Sequence, residues 1–264
     1  MMILAIILAA VQVGTWNLKW FPSGRAEHRA SARVEAANIE DAREVVAVAA
    51  KPHSVFCFEE VRDKKCVEAL VKGTVLTNVV VSTWKRSDNR SEWQQVAIVT
   101  DLPVVKEDSV QFDYWVAPRG YLHVQVDAGA DGKIDFYGVH LKSNYGGKEA
   151  KAKAANRKKR EAAMKFIPKE GEKAVVLGDF NMDMFSGEFS GEQTCDILTW
   201  SGFNNIWTGL PLDKRGTHIG TKRWPDSTLD YIFYRGLSLE GEPTLGPKTD
   251  VSDHRMVLVE VSSK

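Results

Sequence analysis

Asp179 and Asn181 lie two apart in VVLGDFNMD, residues 175–183, just after an apolar run. Residues i and i+2 of an extended segment share a face, so this carboxylate and amide project together from a strand's carboxyl end. Sheets flanked by helices tend to hold their sites there. Other polar residues stand in the same relation to apolar runs. Asn17 follows GTW, Glu59 and Glu60 follow VFCF, His140 follows FYGV, Asp230 follows STL, and Asp253 and His254 precede RMVLVEV. One acid at a strand end is ordinarily a turn or capping residue. A set of carboxylates, amides and two imidazoles at successive strand ends suits metal-assisted hydrolysis.

A phosphodiester needs its charge neutralised, a water activated and a leaving oxygen stabilised. Mg2+ or Mn2+, with Ca2+ as a further possibility, takes hard oxygen ligands from one or two carboxylates and water. Glu60 and Asp253 are the acids expected on that ion. Asp179 is expected to orient the attacking water, Asn181 to donate to a non-bridging oxygen, and the histidines to donate to developing charge. Neither GxSxG nor GxxxxGK[ST] occurs, so a serine nucleophile elbow and a phosphate-cradling glycine loop are not expected.

These residues need strands to present them, and the pattern supplies them. VQVGTWNL, HSVFCFEEV, VVVSTW, QVAIVTD, GYLHVQVDA, IDFYGVHL, KAVVLGDFN, TLDYIFY and RMVLVEV read as strands. Residues 26–50, 148–167, KKCVEALVK and EQTCDILTWSG read as helices, and ADGK, residues 130–133, reads as a hairpin turn. No linker rich in Pro, Gly or Ser divides the chain. The expectation is one α/β domain over residues 11–264, with mixed sheets and helices outside.

The 264 residues are 44% hydrophobic and 27% charged, an ordinary globular composition. Thirty-five basic residues balance 35 acidic ones, so net charge does not announce a nucleic-acid partner, although a local patch could serve one. Three cysteines form neither a disulfide framework nor a zinc motif, and whether Cys57 pairs with Cys66 stays open. The opening run MMILAIILAA is shorter than the roughly 20 apolar residues of a membrane span. It reads as a signal peptide over residues 1–10, which places the protein in the periplasm or outside the cell. The other reading is an early, uncleaved first strand in a cytoplasmic protein.

TWNLKW, FCFEEV, YGVHLKSN, VVLGDFNMD, STLDYIFY and VSDHRMVLVEV resemble, in order and spacing, the motifs of the endonuclease/exonuclease/phosphatase superfamily, the DNase I-like fold, over about residues 13–261. The resemblance implies a four-layer α/β sandwich of two packed mixed sheets flanked by helices, with the site at one end. It implies that Asn17 positions phosphate and a metal-ligand acid, that Glu60 binds metal, and that His140 matches the histidine of the DNase-like and sphingomyelinase-like branches. Asp179 and Asn181 match the GDFN pair, Asp230 matches the aspartate that supports the final histidine or the site water, and Asp253 and His254 match the closing metal ligand and histidine. Glu59 stands where the family often has Gln. Leu229 before Asp230 and the HLKSN segment depart from the abasic-site branch, and no CDR motif of inositol phosphatases occurs. HLKS with NRKKR is similar to bacterial extracytoplasmic nucleases.

The expected activity is therefore a metal-dependent phosphodiesterase, most readily an endonuclease on DNA rather than RNA, acting as a monomer. A lipid phosphodiesterase or phosphomonoesterase, and a non-catalytic binding module, are the alternatives. Glu92 is a weaker candidate partner for His140. Arg157 and Arg160 read either as a solvated helix face or as a phosphate-steering patch, with Arg157 put forward as phosphate-positioning. TKRW, residues 221–224, could add a cation and an aromatic. Trp16, Trp20 and Trp93 read as core or rim packing.

Overall fold

The computed structural model describes residues 10–113, 116–117, 119–144, 149–168, 171–222 and 225–263. The expected leader thus falls almost wholly outside the described residues, as do Arg223 and Trp224 of TKRW. The strands are β1 (Val11–Phe21), β2 (Ser54–Val61), β3 (Asn78–Val81), β4 (Gln95–Thr100), β5 (Val104–Gln111), β6 (Gly120–Asp127), β7 (Lys133–His140), β8 (Ala174–Asp179), β9 (Asn204–Asn205), β10 (Asp230–Arg235), β11 (Leu237–Leu245) and β12 (Val257–Ser263). The α-helices are α1 (Ala32–Ala49), α2 (Lys64–Val71), α3 (Ala150–Phe166), α4 (Asp196–Thr199) and α5 (Leu212–Arg215).

Two mixed six-stranded sheets result, ordered β11-β12-β1-β2-β4-β3 and β5-β6-β7-β8-β10-β9. The side-chain period of two decides what each face meets. In β2, Val55 and Cys57 face the second sheet, and Phe56 and Phe58 face α1 and α2 through Ala42, Val46, Val67 and Leu70. Ala163 and Met164 of α3 join the core over the second sheet. The layers are helix, sheet, sheet, helix: the four-layer sandwich. Gly138 lets the sheets approach, since a Cβ there would lie 2.8 Å from Cys57 Sγ. All three cysteines are free and buried, which settles the Cys57–Cys66 question against pairing.

The central strand pairs β1–β2 and β7–β8 run parallel. Their carboxyl ends carry Asn17, Glu59, Glu60, His140 and Asp179. The antiparallel neighbours β10 and β12 begin at that same end, bringing Asp230, Asp253 and His254 to it.

Several elements differ from the pattern reading. Edge strand β5 (VVKEDSVQ) is mostly solvent-facing and charged, which hides it from hydrophobic periodicity while protecting the edge. Edge strand β11 has Gly241 and Pro243 within it, and its register shifts between Glu240 and Thr244. Residues 26–28 form only a 3-10 turn, and α1 starts at Ala32, where the Ser31 hydroxyl accepts from Val34 N. Of EQTCDILTWSG, only Asp196–Thr199 is α-helical.

Candidate active site

Strand register sets the first layer of the site. His140 and Asp230 are the ladder partners of Asp179 on either side. Gly178 makes this possible: its φ is +136°, and a Cβ would fall 2.0 Å from the Val139 carbonyl oxygen. The glycine of GDFN is thus required by backbone packing.

Asn17 crosses between the sheets. Its amide donates to Glu60 Oε1 at 3.1 Å and to Asp179 Oδ2 at 2.8 Å. Asn181 donates its backbone N–H to Asp179 Oδ1 at 2.7 Å and its side-chain amide to Asp179 Oδ2 at 2.9 Å. That grip needs Asn181 in the left-handed region, at φ +52°. Glu60, at φ +59°, accepts the Trp20 N–H on Oε2 at 3.0 Å. His140 Nε2 lies 3.5 Å from Glu60 Oε1 and 3.6 Å from Asp179 Oδ2, and its buried Nδ1 has no hydrogen-bond partner. Non-glycine left-handed residues carry strain that tends to gather at functional sites, and Lys19, Trp20, Glu60 and Asn181 place it here.

Asp230 and His254 form the second layer, with His254 Nδ1 2.8 Å from Asp230 Oδ2. Two tryptophan indoles brace their backbones: Trp16 Nε1 donates to the His254 carbonyl and Trp207 Nε1 to the Asp230 carbonyl, both at 2.9 Å. Trp16 is thus core packing, as expected, and a strut as well. Trp93 is rim packing, with the Arg86 guanidinium 4.0 Å from its ring centre.

Burial and charge separate the titrations. Burial raises the Asp179 carboxyl, and nearby Asp230 raises it further against the pull of His254 and Asn17, leaving it at about 7. Burial opposes charge on His254, but Asp230 and its hydrogen bond, with Asp179 and Asp253, outweigh this and raise it to about 10. Burial, aided by Arg119, holds His140 well below its ordinary value, so it is neutral. Glu59, wholly buried and close to Asp230, is pushed well above the carboxylate range and accepts the Thr15 hydroxyl at 2.6 Å.

The site thus gathers Asn17, Glu60, His140, Asp179, Asn181, Asp230 and His254. Within 4.8 Å, Glu60 groups with His140 and Asp179, Asp179 with Asp230 and His254, and Asp253 with His218 and His254. Glu60 and Asp253 do not share a group among the described residues. Glu92 spends its carboxylate on the Trp93 N–H, while His140 faces Glu60 and Asp179. Arg157 lies on α3, bonded to Glu161 and to the Gly191 carbonyl. Arg160 fits neither sequence expectation: it is buried at 1% exposure and paired with Glu192.

Sequence reading missed three neighbours. Buried Arg119 holds the His140 and Leu141 carbonyls, each at 2.9 Å, from a loop with no motif. His218 meets His254 edge to face, with ring centres 5.0 Å apart, and lies outside any strand. Lys19 adjoins Asn17 but carries no signal of its own.

A two-sheet sandwich ending in this cluster is a DNase I-like phosphoester hydrolase scaffold. The chain belongs to the endonuclease/exonuclease/phosphatase family, whose model matches residues 14–254. It is similar to a family member from Beutenbergia cavernae (TM-score 0.70, 15% identity, covering 96% of this chain and 72% of that one). It is similar also to truncated Caenorhabditis elegans TDP2 (0.68, 17%, 96% and 98%). A Bacteroides thetaiotaomicron family protein superposes at 0.62 with 16% identity, covering 97% of this chain and 98% of that one. At these identities the likeness establishes the fold. No curated protein matches the chain in sequence.

Proposed function

We propose that this protein is a divalent-metal-dependent phosphodiester hydrolase, an endonuclease acting on DNA by in-line attack of water. One observation carries the reading: the Asn17 amide bridges Glu60 and Asp179 at 3.1 and 2.8 Å, beside a buried Asp230–His254 pair at 2.8 Å. The donor set fits a hard cation, since carboxylate oxygens of Glu60 and Asp179 converge with His140 within 4.8 Å. Bound through Glu60, Mg2+ or Mn2+ would supply charge neutralisation for the phosphate and its leaving oxygen.

The protein's own groups divide the remaining work. Asp179, at about 7, changes protonation near neutrality and suits the base that takes the water's proton. His254, raised to about 10 by Asp230 and its hydrogen bond, suits a charged donor from Nε2 to the phosphate better than a base. Asn17 and Asn181 hold Asp179 in place; the two side-chain hydrogens of Asn181 go to Asp179 Oδ2 and the Leu141 carbonyl, so the expected contact with a non-bridging oxygen requires the Leu141 bond to open. His140 adds a neutral donor. Arg119 fixes the backbone that carries His140 and the Asn181 contact at Leu141.

On the leader reading the enzyme works in the periplasm or outside the cell; separately, we propose that it is a monomer. N-terminal sequencing of exported protein and gel filtration check those two points. Among the described residues no helix is long and apolar enough to cross a membrane.

Plasmid relaxation with Mg2+, Mn2+ or Ca2+, against EDTA and an Asn181→Ala/His254→Ala variant, tests the reading. Metal-dependent nicking that the variant lacks supports it. Failure to cleave plasmid, RNA or single strands with metal bound moves the substrate to a lipid or small phosphoester. Metal-free cleavage overturns the mechanism.

A further inference from the structure

Lys19 and Trp20 sit where the β1–β2 ladder slips, between Asn17 and Phe21. Both have left-handed backbones, at φ +47° and +57°. Two consecutive side-chain-bearing residues in that region persist only where surrounding contacts impose it. Here the contacts are the two acids that the sequence nominates for metal. The Trp20 N–H takes Glu60 Oε2 at 3.0 Å, and Lys19 Nζ lies 2.8 Å from Asp253 Oδ2. The Lys19 N–H also donates to Asn17 Oδ1 at 2.9 Å, tying the turn to the residue that bridges Glu60 and Asp179.

The two acids are thus left in different states. Glu60 gives one oxygen to a backbone amide and keeps the other beside Asn17 and His140. Asp253 is paired with a full ammonium charge. It also groups with His218 and His254 within 4.8 Å. A divalent ion on Asp253 would have to displace the Lys19 ammonium that already lies 2.8 Å from its Oδ2. An ordinary surface ion pair would contribute little and could be displaced easily. This one is oriented by a strained backbone wired into the site, which a casual surface pair lacks. An ammonium has three donors in no fixed plane, so Lys19 can bond Asp253 and a phosphate oxygen together. Its side chain remains 47% exposed, open to such a ligand.

We propose that Lys19 is a resident cation of this site: it neutralises Asp253 in place of a divalent ion and contacts a non-bridging oxygen of the substrate, so that metal is held through Glu60 and not through Asp253. This rests on the hydrolase reading and deepens it.

The test is Mn2+ titration followed by electron paramagnetic resonance, with anisotropy of a fluorescent DNA oligonucleotide in Ca2+, on wild type, Glu60→Gln, Asp253→Asn, Lys19→Met and Lys19→Arg. Neither readout needs turnover, and thermal melts establish that each variant is folded. Glu60→Gln is expected to weaken Mn2+ about tenfold or more, and Asp253→Asn and Lys19→Met less than about threefold. Lys19→Met is expected to weaken oligonucleotide binding about tenfold and lower its salt slope by about one, with Lys19→Arg recovering most of both. Asp253→Asn losing as much Mn2+ affinity as Glu60→Gln overturns the proposal. So does Lys19→Met with unchanged oligonucleotide binding and salt slope. Wild type that binds Mn2+ but cleaves no phosphoester sinks the hydrolase reading instead, while the Mn2+ comparison still decides between Glu60 and Asp253.

Discussion

The Arg160 and Asp179 clusters are both buried and ionic, and they are finished to different degrees. Arg160 of α3 meets Glu192 through Nε and one terminal nitrogen, both at 2.7 Å. Its other terminal nitrogen donates to the Lys142 carbonyl at 2.7 Å and Asn144 Oδ1 at 3.1 Å, and Thr194 donates to Glu192 at 2.7 Å. Among the described residues, no buried side-chain atom of Arg160 or Glu192 lacks a partner. The cluster around Asp179 is equally deep, yet His140 Nδ1, Asp230 Oδ1 and Glu59 Oε2 are buried without one. It also concentrates left-handed non-glycine residues. A saturated network rigidifies; an unsaturated one carries a cost that only a ligand or a reaction gives reason to keep. The basic helix, which read either as a solvated face or as a phosphate-steering patch, is partly anchored inward, and the strand ends hold the open valences.

The contrast can be broken most sharply at His254. His254→Gln should lower turnover about a thousandfold, with the fold retained by circular dichroism, because a charged donor is lost where charge develops. Arg160→Met should do the reverse, costing about 3–5 kcal/mol in urea denaturation by stranding Glu192, with turnover per folded molecule within about threefold. Adding Glu192→Leu should recover most of that loss. Equal activity losses in His254→Gln and Arg160→Met would erase the distinction.

Acidity sharpens the same comparison. His254 has a folded value of about 10, above the ordinary 6.5. Its contribution is therefore complete below about pH 6.5 and is lost as pH rises towards 10. Melts of metal-free wild type and His254→Gln should converge across that window; a constant gap would refute the pairing. Glu59 runs the opposite way. Its carboxyl is neutral when folded but ionises in the unfolded chain above about 4.5, so wild-type stability falls as pH rises from there. Glu59→Gln should gain on wild type as pH rises above about 4.5. The smallest effect belongs to Arg157→Ala. Already engaged by Glu161 and Gly191, Arg157 should leave the salt slope of DNA binding unchanged; a drop of about one would restore it as a phosphate contact.

Much of the site was legible because its residues flank apolar strands. GDFN, SDH, the His after FYGV and the Asn after GTW each join a local strand signal to a polar side chain. Lys19, Arg119 and His218 were not legible: Arg119 and His218 lie outside the strands, and Lys19 sits where the β1–β2 ladder slips, so no periodicity points to a face. Arg160 was misread for the converse reason. Its neighbours in KAKAANRKKREAAM are basic, and linear charge does not show which side of a helix is covered by residues 188–194. Edge strands β5 and β11 escaped because solvent-facing strands carry charge, glycine and proline in place of alternating apolar residues.

The sequence by itself determined the chemistry-bearing residue types, the strands that end in them and the superfamily they resemble, because strand patterning and short motifs are local. Only the tertiary structure decided that Asn17 spans the two sheets to join Glu60 with Asp179, that Asp230 pairs with His254, and that Lys19 rather than Glu60 lies against Asp253. Those contacts join residues as many as 234 positions apart (Lys19 with Asp253). They depend on sheet order, register and depth of burial, which are properties of the packed chain as a whole.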